Sequence, residues 1–115
     1  MFGKMAIRRL LAAAALSVAT LATAETGVTD GSVVIGQSVP LSGPAQELGI
    51  EMRLGAKLYF DHINSQGGVN GRKIKLLTLD DGYEPDRATA NTKQLIDKDD
   101  VFALFGYVGT PTSLA

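Results

Sequence analysis

The sequence predicts an α/β fold in which flanking helices cover an open parallel sheet, and three observations support this class. Runs rich in β-branched residues alternate with runs whose apolar residues recur at helical spacing. Glycine, proline or asparagine separates most of these runs. The last strand-like run, VFALF, is apolar throughout, as expected for a strand in the middle of a parallel sheet. Such alternation predicts right-handed crossovers between parallel strands.

The segment 1–24 is expected to be a signal peptide and not part of the fold. Lys4, Arg8 and Arg9 precede a nearly continuous apolar run, and small residues end the segment at Ala24. That run has about 15 residues, fewer than the roughly 20 that a membrane-spanning helix needs. We therefore expect cleavage after Ala24 and export to the periplasm of a Gram-negative bacterium.

The charge and cysteine content exclude several partners of the mature segment, residues 25–115. Three of the 11 basic residues and none of the 12 acidic ones lie in the predicted signal peptide, which leaves 8 basic residues against 12 acidic ones. This acidic balance argues against nucleic acid and anionic membranes as partners. The sequence contains no cysteine, which excludes disulfides and a lipid-carrying cysteine at the cleavage site. We expect a soluble monomer.

The first half of the mature segment predicts one strand and one helix. Residues 32–40 (SVVIGQSVP) predict a largely buried strand. A helical period runs from about Glu47 to Asn64, and Gly67 and Gly68 supply its stop. The residues expected on the buried face of this helix are Leu48, Met52, Gly55, Tyr59 and Ile63, with Ala56 and Leu58 beside them.

The second half predicts a strand, a helix and another strand. After an Asn-Gly turn, residues 73–79 predict the second strand. Pro85 suits the first position of a second helix that ends near Lys98. Its expected buried residues are Ala88, Asn91 or Thr92, Leu95 and Ile96. Residues 101–105 predict a third strand with neighbours on both sides. Because doubly wound sheets have about five or six strands, we expect the mature segment to be the N-terminal part of the first lobe of a larger domain.

The carboxyl ends of these strands are the place where open α/β sheets bind ligands. Three segments are expected to converge there: residues 40–48, 80–84 and 106–113. In the last of them, Gly106 and Gly109 allow the backbone to bend and a ligand to approach closely.

Thr110 and the residues after it predict an anion site in that last segment. If Thr110 caps a helix that begins at Pro111, the N–H groups of Thr112 and Ser113 are free to bind a carboxylate. An ordinary helix cap explains the same residues equally well.

Catalysis, phosphate binding and metal binding are disfavoured. The chain lacks a P-loop lysine, a G-x-G-x-x-G after the first strand and a G-x-S-x-G elbow. A lone histidine, His62, without any cysteine does not predict a metal site. The acidic residues Asp80, Asp81, Glu84 and Asp86 do not match a calcium loop and are expected in turns and at helix ends. We predict no enzyme activity and no cofactor.

Five motifs follow one another at matching spacing: PLSGP at 40–44, GAKLYFDHIN at 55–64, GGVNG at 67–71, LDD at 79–81 and FGYVGTPTS at 105–113. Together they resemble the periplasmic leucine/isoleucine/valine-binding proteins, the substrate-binding subunits of ABC importers. The resemblance implies a type I periplasmic-binding fold with two hinged lobes. These close on a small solute, such as an amino acid, an amide or an aromatic acid, and deliver it to an ABC permease in the inner membrane. A ligand-sensing receptor or regulator of the same fold is the alternative.

The resemblance also implies ligand contacts. Thr110 matches the residue that holds the ligand's α-carboxylate, and the loop 42–48 lines the cleft. The amino acid binders carry an aromatic residue at the position of Leu48, so leucine is a departure that leaves the solute open. Tyr107 or Tyr83 would supply the missing aromatic contact. The residues predicted to contact the ligand are Thr110, Thr112, Gly109, Tyr107, Ser42, Gly43 and Leu48.

Overall fold

The computed structural model describes residues 24–115, so the predicted signal peptide lies almost wholly outside the described residues. Strands and helices alternate in the predicted order. The elements are β1 (Ser32–Val39), α1 (Gln46–Ser65), β2 (Lys73–Asp80), α2 (Pro85–Asp97), β3 (Ala103–Leu104) and α3 (Thr110–Ser113). Within the described part, no helix is both long enough and apolar enough to cross a bilayer.

The three strands form one parallel sheet in the order β2-β1-β3. Ser32 lies opposite Lys73 in β2, and Ile35 lies opposite Ala103 in β3. The parallel α/β class is therefore confirmed. Within the described chain, β1 lies at the centre of the sheet and β3 lies at one edge. That the third strand has neighbours on both sides in the larger domain stays a prediction.

The third strand is also shorter than the predicted 101–105. Only Ala103 and Leu104 form the strand, although the N–H groups of Phe102 and Phe105 donate to β1 carbonyls at 2.8 and 2.9 Å. Bonding to β1 therefore extends over the predicted run, but the paired register covers only two residues of it.

The two long helices cover opposite faces of the sheet. Gly36 of β1 faces α2, where an added Cβ would lie 3.1 Å from Leu95. Its neighbour Ile35 lines an apolar groove together with Phe60 of α1. Because successive strand residues face opposite sides, α1 and α2 lie on different sides of β1. The chain thus places β2 on one side of β1 and β3 on the other. The strand order changes direction between β1 and β3, and folds of this class bind ligands at such a switch point.

Of the residues predicted for the buried face of α1, only Ala56 is buried, so most of that prediction is wrong. The helix turns its small residues Gly49 and Ala56 toward the sheet, while Leu48, Met52 and Tyr59 are exposed. The physical reason is close approach, since a Cβ on Gly49 would overlap the carbonyl oxygen of Pro40. The backbone of the loop after β1 thus occupies the space that a larger side chain would need.

The predicted helix ends agree better with the structure. The N–H of Gly68 donates to the carbonyl of Ile63 at 3.0 Å and closes α1, and Pro85 begins α2 as expected. Ala88 and Leu95 are buried in α2, but Ile96 is half exposed, so that part of the predicted face is wrong.

Candidate functional site

Three loops meet at the carboxyl edge of the sheet, as the strand order requires. The loop after β1 approaches the loop after β2, where a Cβ on Gly43 would lie 3.7 Å from the carbonyl oxygen of Gly82. The loop after β2 in turn contacts the loop after β3, because the ring of Tyr83 packs against Gly109. The structure therefore brings together the three segments that were expected to converge, two of which carry the predicted ligand contacts.

Asp80, the last residue of β2, ties the first two loops together. One carboxylate oxygen, Oδ1, accepts the backbone N–H groups of Leu41 at 2.7 Å and Gly82 at 2.8 Å. The other, Oδ2, accepts the Ser42 hydroxyl at 2.6 Å and the Arg87 guanidinium at 3.1 Å. Sequence reasoning assigned Asp80 only to a turn, because its partners Leu41 and Ser42 lie about 40 positions away in the chain.

The electrostatics of Asp80 follow from this network. Burial by itself would raise its pKa, but the hydrogen bonds from Ser42, the two backbone N–H groups and Arg87 hold the pKa of Asp80 well below its usual range. The carboxylate is therefore charged at neutral pH. Because the Ser42 hydroxyl donates its hydrogen bond to this carboxylate, the Ser42 oxygen can only accept a hydrogen bond from a ligand.

Asp81 organises the next turn from a fully buried position. Its Oδ2 accepts the hydroxyl of Ser38 at 2.8 Å, and its Oδ1 accepts the backbone N–H of Tyr83, also at 2.8 Å. Asn91 of α2 donates to the same Ser38 hydroxyl at 3.1 Å. The buried carboxylate therefore fixes the backbone of Tyr83, which has a φ of 67°, a left-handed conformation uncommon for tyrosine.

The turn after β3 is anchored by a residue that sequence reasoning did not select. Gln37 in β1 is fully buried. Its side-chain amide donates to the carbonyl of Gly106 at 3.1 Å and accepts the hydroxyl of Thr78 at 3.0 Å. The one signal in the sequence was a polar side chain inside an apolar strand. Buried amides of this kind need partners, and here one partner positions the loop of the candidate site.

The start of α3 differs from the prediction. Gly109, with a φ of 103°, occupies the cap position, and Thr110 is the first helical residue. The predicted cap role of Thr110 is therefore wrong, because a glycine takes that backbone conformation at lower cost. The N–H of Ser113 is not free, since it donates to the carbonyl of Gly109 at 3.0 Å.

The threonines of α3 face different surroundings. Thr112 is buried, and its hydroxyl oxygen lies 2.6 Å from the carbonyl oxygen of Val108, to which it donates. Thr110 is exposed. Of the predicted hydroxyl contacts in this loop, only Thr110 presents its side chain at the surface.

The two tyrosines that were candidates for an aromatic ligand contact, Tyr107 and Tyr83, lie in different surroundings. The Tyr107 hydroxyl shares a hydrogen bond with the Thr92 hydroxyl of α2 at 2.7 Å, so this side chain is engaged on the α2 side of the sheet. Tyr83 lies at the carboxyl edge with 38% of its surface exposed. Leu48, in the first turn of α1, is exposed, so its predicted place on the buried face of that helix is wrong, whereas its contact with a ligand stays a prediction.

Comparison with known proteins identifies the family. The sequence profile described as "Periplasmic binding protein" matches residues 32–115. The chain belongs to the periplasmic binding protein family. This is a family of binding proteins and not of enzymes, and the predicted resemblance is confirmed.

Individual members of the periplasmic binding protein family are similar in sequence and structure. An "Amino acid binding protein" of Pseudomonas aeruginosa is 36% identical over 104 residues, which are 90% of this chain and 27% of the relative. A possible leucine/isoleucine/valine-binding protein from Rhodopirellula baltica superposes with a TM-score of 0.71 at 44% identity, over 77% of this chain and 24% of that one. A fatty acid ABC transporter substrate-binding protein from Thermomonospora curvata gives 0.69 at 30% identity, over 77% and 22%. The chain thus spans about a quarter of the length of the relatives it matches.

Proposed function

We propose that this chain forms the N-terminal part of the first lobe of a periplasmic solute-binding protein. Residues 1–24 direct export, and the mature protein, a monomer, captures a small solute by closure of two lobes and delivers it to an ABC permease in the inner membrane. Family membership supports a binding role. The observation that carries the proposal is the meeting of three loops at the carboxyl edge, where this class of fold binds ligands.

The edge of the sheet supports the proposal that more of the lobe packs here. Phe102, Leu104 and Phe105 are each between 41% and 49% exposed beside β3. They line one apolar groove together with Phe60 of α1, and the rings of Phe60 and Phe105 lie 5.7 Å apart. Apolar surface of this extent indicates a surface that another element covers. In the two-lobed protein, later strands and helices of the first lobe would cover it.

The proposed solute carries a carboxylate and an apolar group. Two of the similar proteins are named for amino acids or for leucine, isoleucine and valine, and a third is named for fatty acids. All of these solutes carry a carboxylate, and leucine, isoleucine, valine and fatty acids also carry an aliphatic group. We assign the carboxylate to the exposed hydroxyl and the neighbouring backbone of Thr110, with the loop of Ser42, Gly43 and Leu48 on the other side of the cleft.

A thermal-shift screen of the two-lobed protein tests this function. The panel contains amino acids, aliphatic and aromatic carboxylates, amides and urea. We expect one class to raise the melting temperature in a saturable manner, because a ligand that binds only the native state stabilises it. A protein that no member of the panel stabilises would contradict the proposal.

The variant Thr110→Val tests the carboxylate assignment. We expect it to lower the affinity for the stabilising carboxylate about tenfold, since one hydrogen bond to a charged group is worth roughly 1.5 kcal/mol. Titration calorimetry measures the change. Thr89→Val on α2 is the control, because its hydroxyl donates only to the carbonyl of Pro85 within its own helix. Equal affinities of the two variants would remove Thr110 from the site.

A further inference from the structure

Tyr83 is held at the carboxyl edge by contacts on two sides. Its backbone N–H donates to buried Asp81, which keeps the residue at a φ of 67°. Its ring lies against Gly109, where an added Cβ would overlap the ring. A left-handed conformation is unfavourable for a non-glycine residue and persists only where the surroundings enforce it. The buried carboxylate of Asp81 supplies that enforcement.

The position of the ring relates it directly to the proposed ligand. Gly109 immediately precedes Thr110, the residue that we assign to the solute carboxylate. A ring that contacts Gly109 is therefore next to the proposed carboxylate site. The ring is 38% exposed, and among residues 24–115 its hydroxyl has no hydrogen-bond partner. Tyr107, by contrast, has its hydroxyl committed to Thr92. Within the described residues, Tyr83 therefore offers a partly exposed ring and a hydroxyl without a hydrogen-bond partner at the carboxyl edge.

We propose that Tyr83 determines solute specificity by packing its ring against the apolar group of the bound carboxylate, with Asp81 as the residue that positions it. This inference rests on the proposed function and deepens it. An aromatic ring packs well against aliphatic groups and gains further energy from another aromatic ring. The site is therefore selective for the group attached to the carboxylate, and an aromatic group gains the most from Tyr83.

Two matched pairs of probes test the proposal in the two-lobed protein: L-phenylalanine with L-leucine, and phenylacetate with isovalerate. The members of each pair share a head group and differ in the apolar part. We expect Tyr83→Ala to lower the affinity for the aromatic member about tenfold and for the aliphatic member about threefold or less, because only the aromatic member loses a ring–ring contact. Tyr83→Phe, which keeps the ring, should leave the ratio within each pair unchanged.

The controls separate this role from a structural one. Tyr59→Phe, on the exposed surface of α1, is the matched tyrosine control and should not change the ratio within either pair. Thr110→Val should weaken both members of a pair equally, because it acts on the shared carboxylate. If Tyr83→Ala does not fold, Tyr83→Leu retains an apolar side chain over Gly109 and should show the same shift in ratio.

Three outcomes would overturn the inference. Unchanged affinities in Tyr83→Ala would remove the ring from the site, and equal losses for both members of a pair would reduce Tyr83 to a packing residue. Binding of urea or an amide, with none of the four probes bound, would leave a solute-binding protein but exclude this carboxylate site. A wild-type protein that binds nothing in the wider panel would instead contradict the proposed function itself.

Discussion

We expect Gly49→Ala to destabilise the protein by about 3 kcal/mol or more. A Cβ at this position would overlap the carbonyl oxygen of Pro40 and approach two further backbone atoms of that residue. Backbone atoms cannot move aside as a flexible side chain can, so α1 would have to shift away from the sheet. The loop between Pro40 and α1 would move with it, and this loop forms one wall of the proposed cleft. Urea unfolding of the two-lobed protein measures the loss.

Gly55→Ala in the same helix is the matched control, with an expected effect of opposite sign. An added Cβ at Gly55 meets no atom within 4 Å, and alanine is favoured over glycine inside a helix by roughly 0.5–1 kcal/mol. This variant should therefore be more stable than the wild type. Similar stability changes in Gly49→Ala and Gly55→Ala would contradict the close packing of α1 on Pro40.

The second large effect concerns the network around Asp80. We expect Asp80→Asn to lower the free energy of unfolding by about 2 kcal/mol at neutral pH, because hydrogen bonds to a charged acceptor contribute roughly 1.5–3 kcal/mol and this carboxylate is partly exposed. The loop at Leu41 and Ser42 and the guanidinium of Arg87 lose their shared anion. Asp30→Asn is the control. The Asp30 side chain makes no ion pair or hydrogen bond within residues 24–115, and its replacement should change stability by less than about 0.5 kcal/mol.

The pH dependence of the Asp80 effect has a defined sign. The pKa of Asp80 is lowered in the folded state, so the carboxylate stabilises the protein fully above its unfolded pKa of about 4. That contribution is lost as the pH falls from there toward the folded pKa. The stability difference between wild type and Asp80→Asn should therefore be constant from about pH 8 to pH 5 and should narrow at pH 3. A difference that stays constant down to pH 3 would show that the carboxylate charge is not its source.

The order of elements could be predicted from the sequence because local chemistry determines it. Proline suits the first position of a helix, as Pro85 does in α2. The Gly67-Gly68 pair ends α1 through a hydrogen bond to the last turn of the same helix. The Asn-Gly turn is equally local: Asn70 and Gly71 have φ values of 51° and 78°, which only a few residue types adopt readily. None of these features depends on a distant partner.

The buried face of α1 could not be predicted, because it depends on what the helix meets. The helical period fitted Leu48 and Met52, but the backbone at Pro40 leaves room only for a glycine at position 49. The apolar residues are displaced to the outer surface as a result. The short paired register of the third strand could not be predicted either, because the apolar run 101–105 does not indicate how many of its residues pair with β1.

The candidate site divides in the same way. The convergence of three loops follows from parallel strands and could be predicted. The roles of Gln37, Asp80 and Asp81 depend on hydrogen bonds between residues far apart in the chain, which no local pattern reveals. Thr110 fitted the sequence pattern of a helix cap, yet Gly109 took that position because its positive φ favours glycine.

Hydrogen exchange of the two-lobed protein, with and without the stabilising solute, tests the central claim most directly. We expect ligand-dependent protection in peptides that cover residues 40–48, 80–84 and 106–113, since these loops form the proposed binding face. Peptides at the opposite edge, residues 67–72, should exchange at unchanged rates. Protection at 67–72, or saturating binding without any change in the three loops, would place the solute elsewhere and contradict the assignment of this edge as the ligand site.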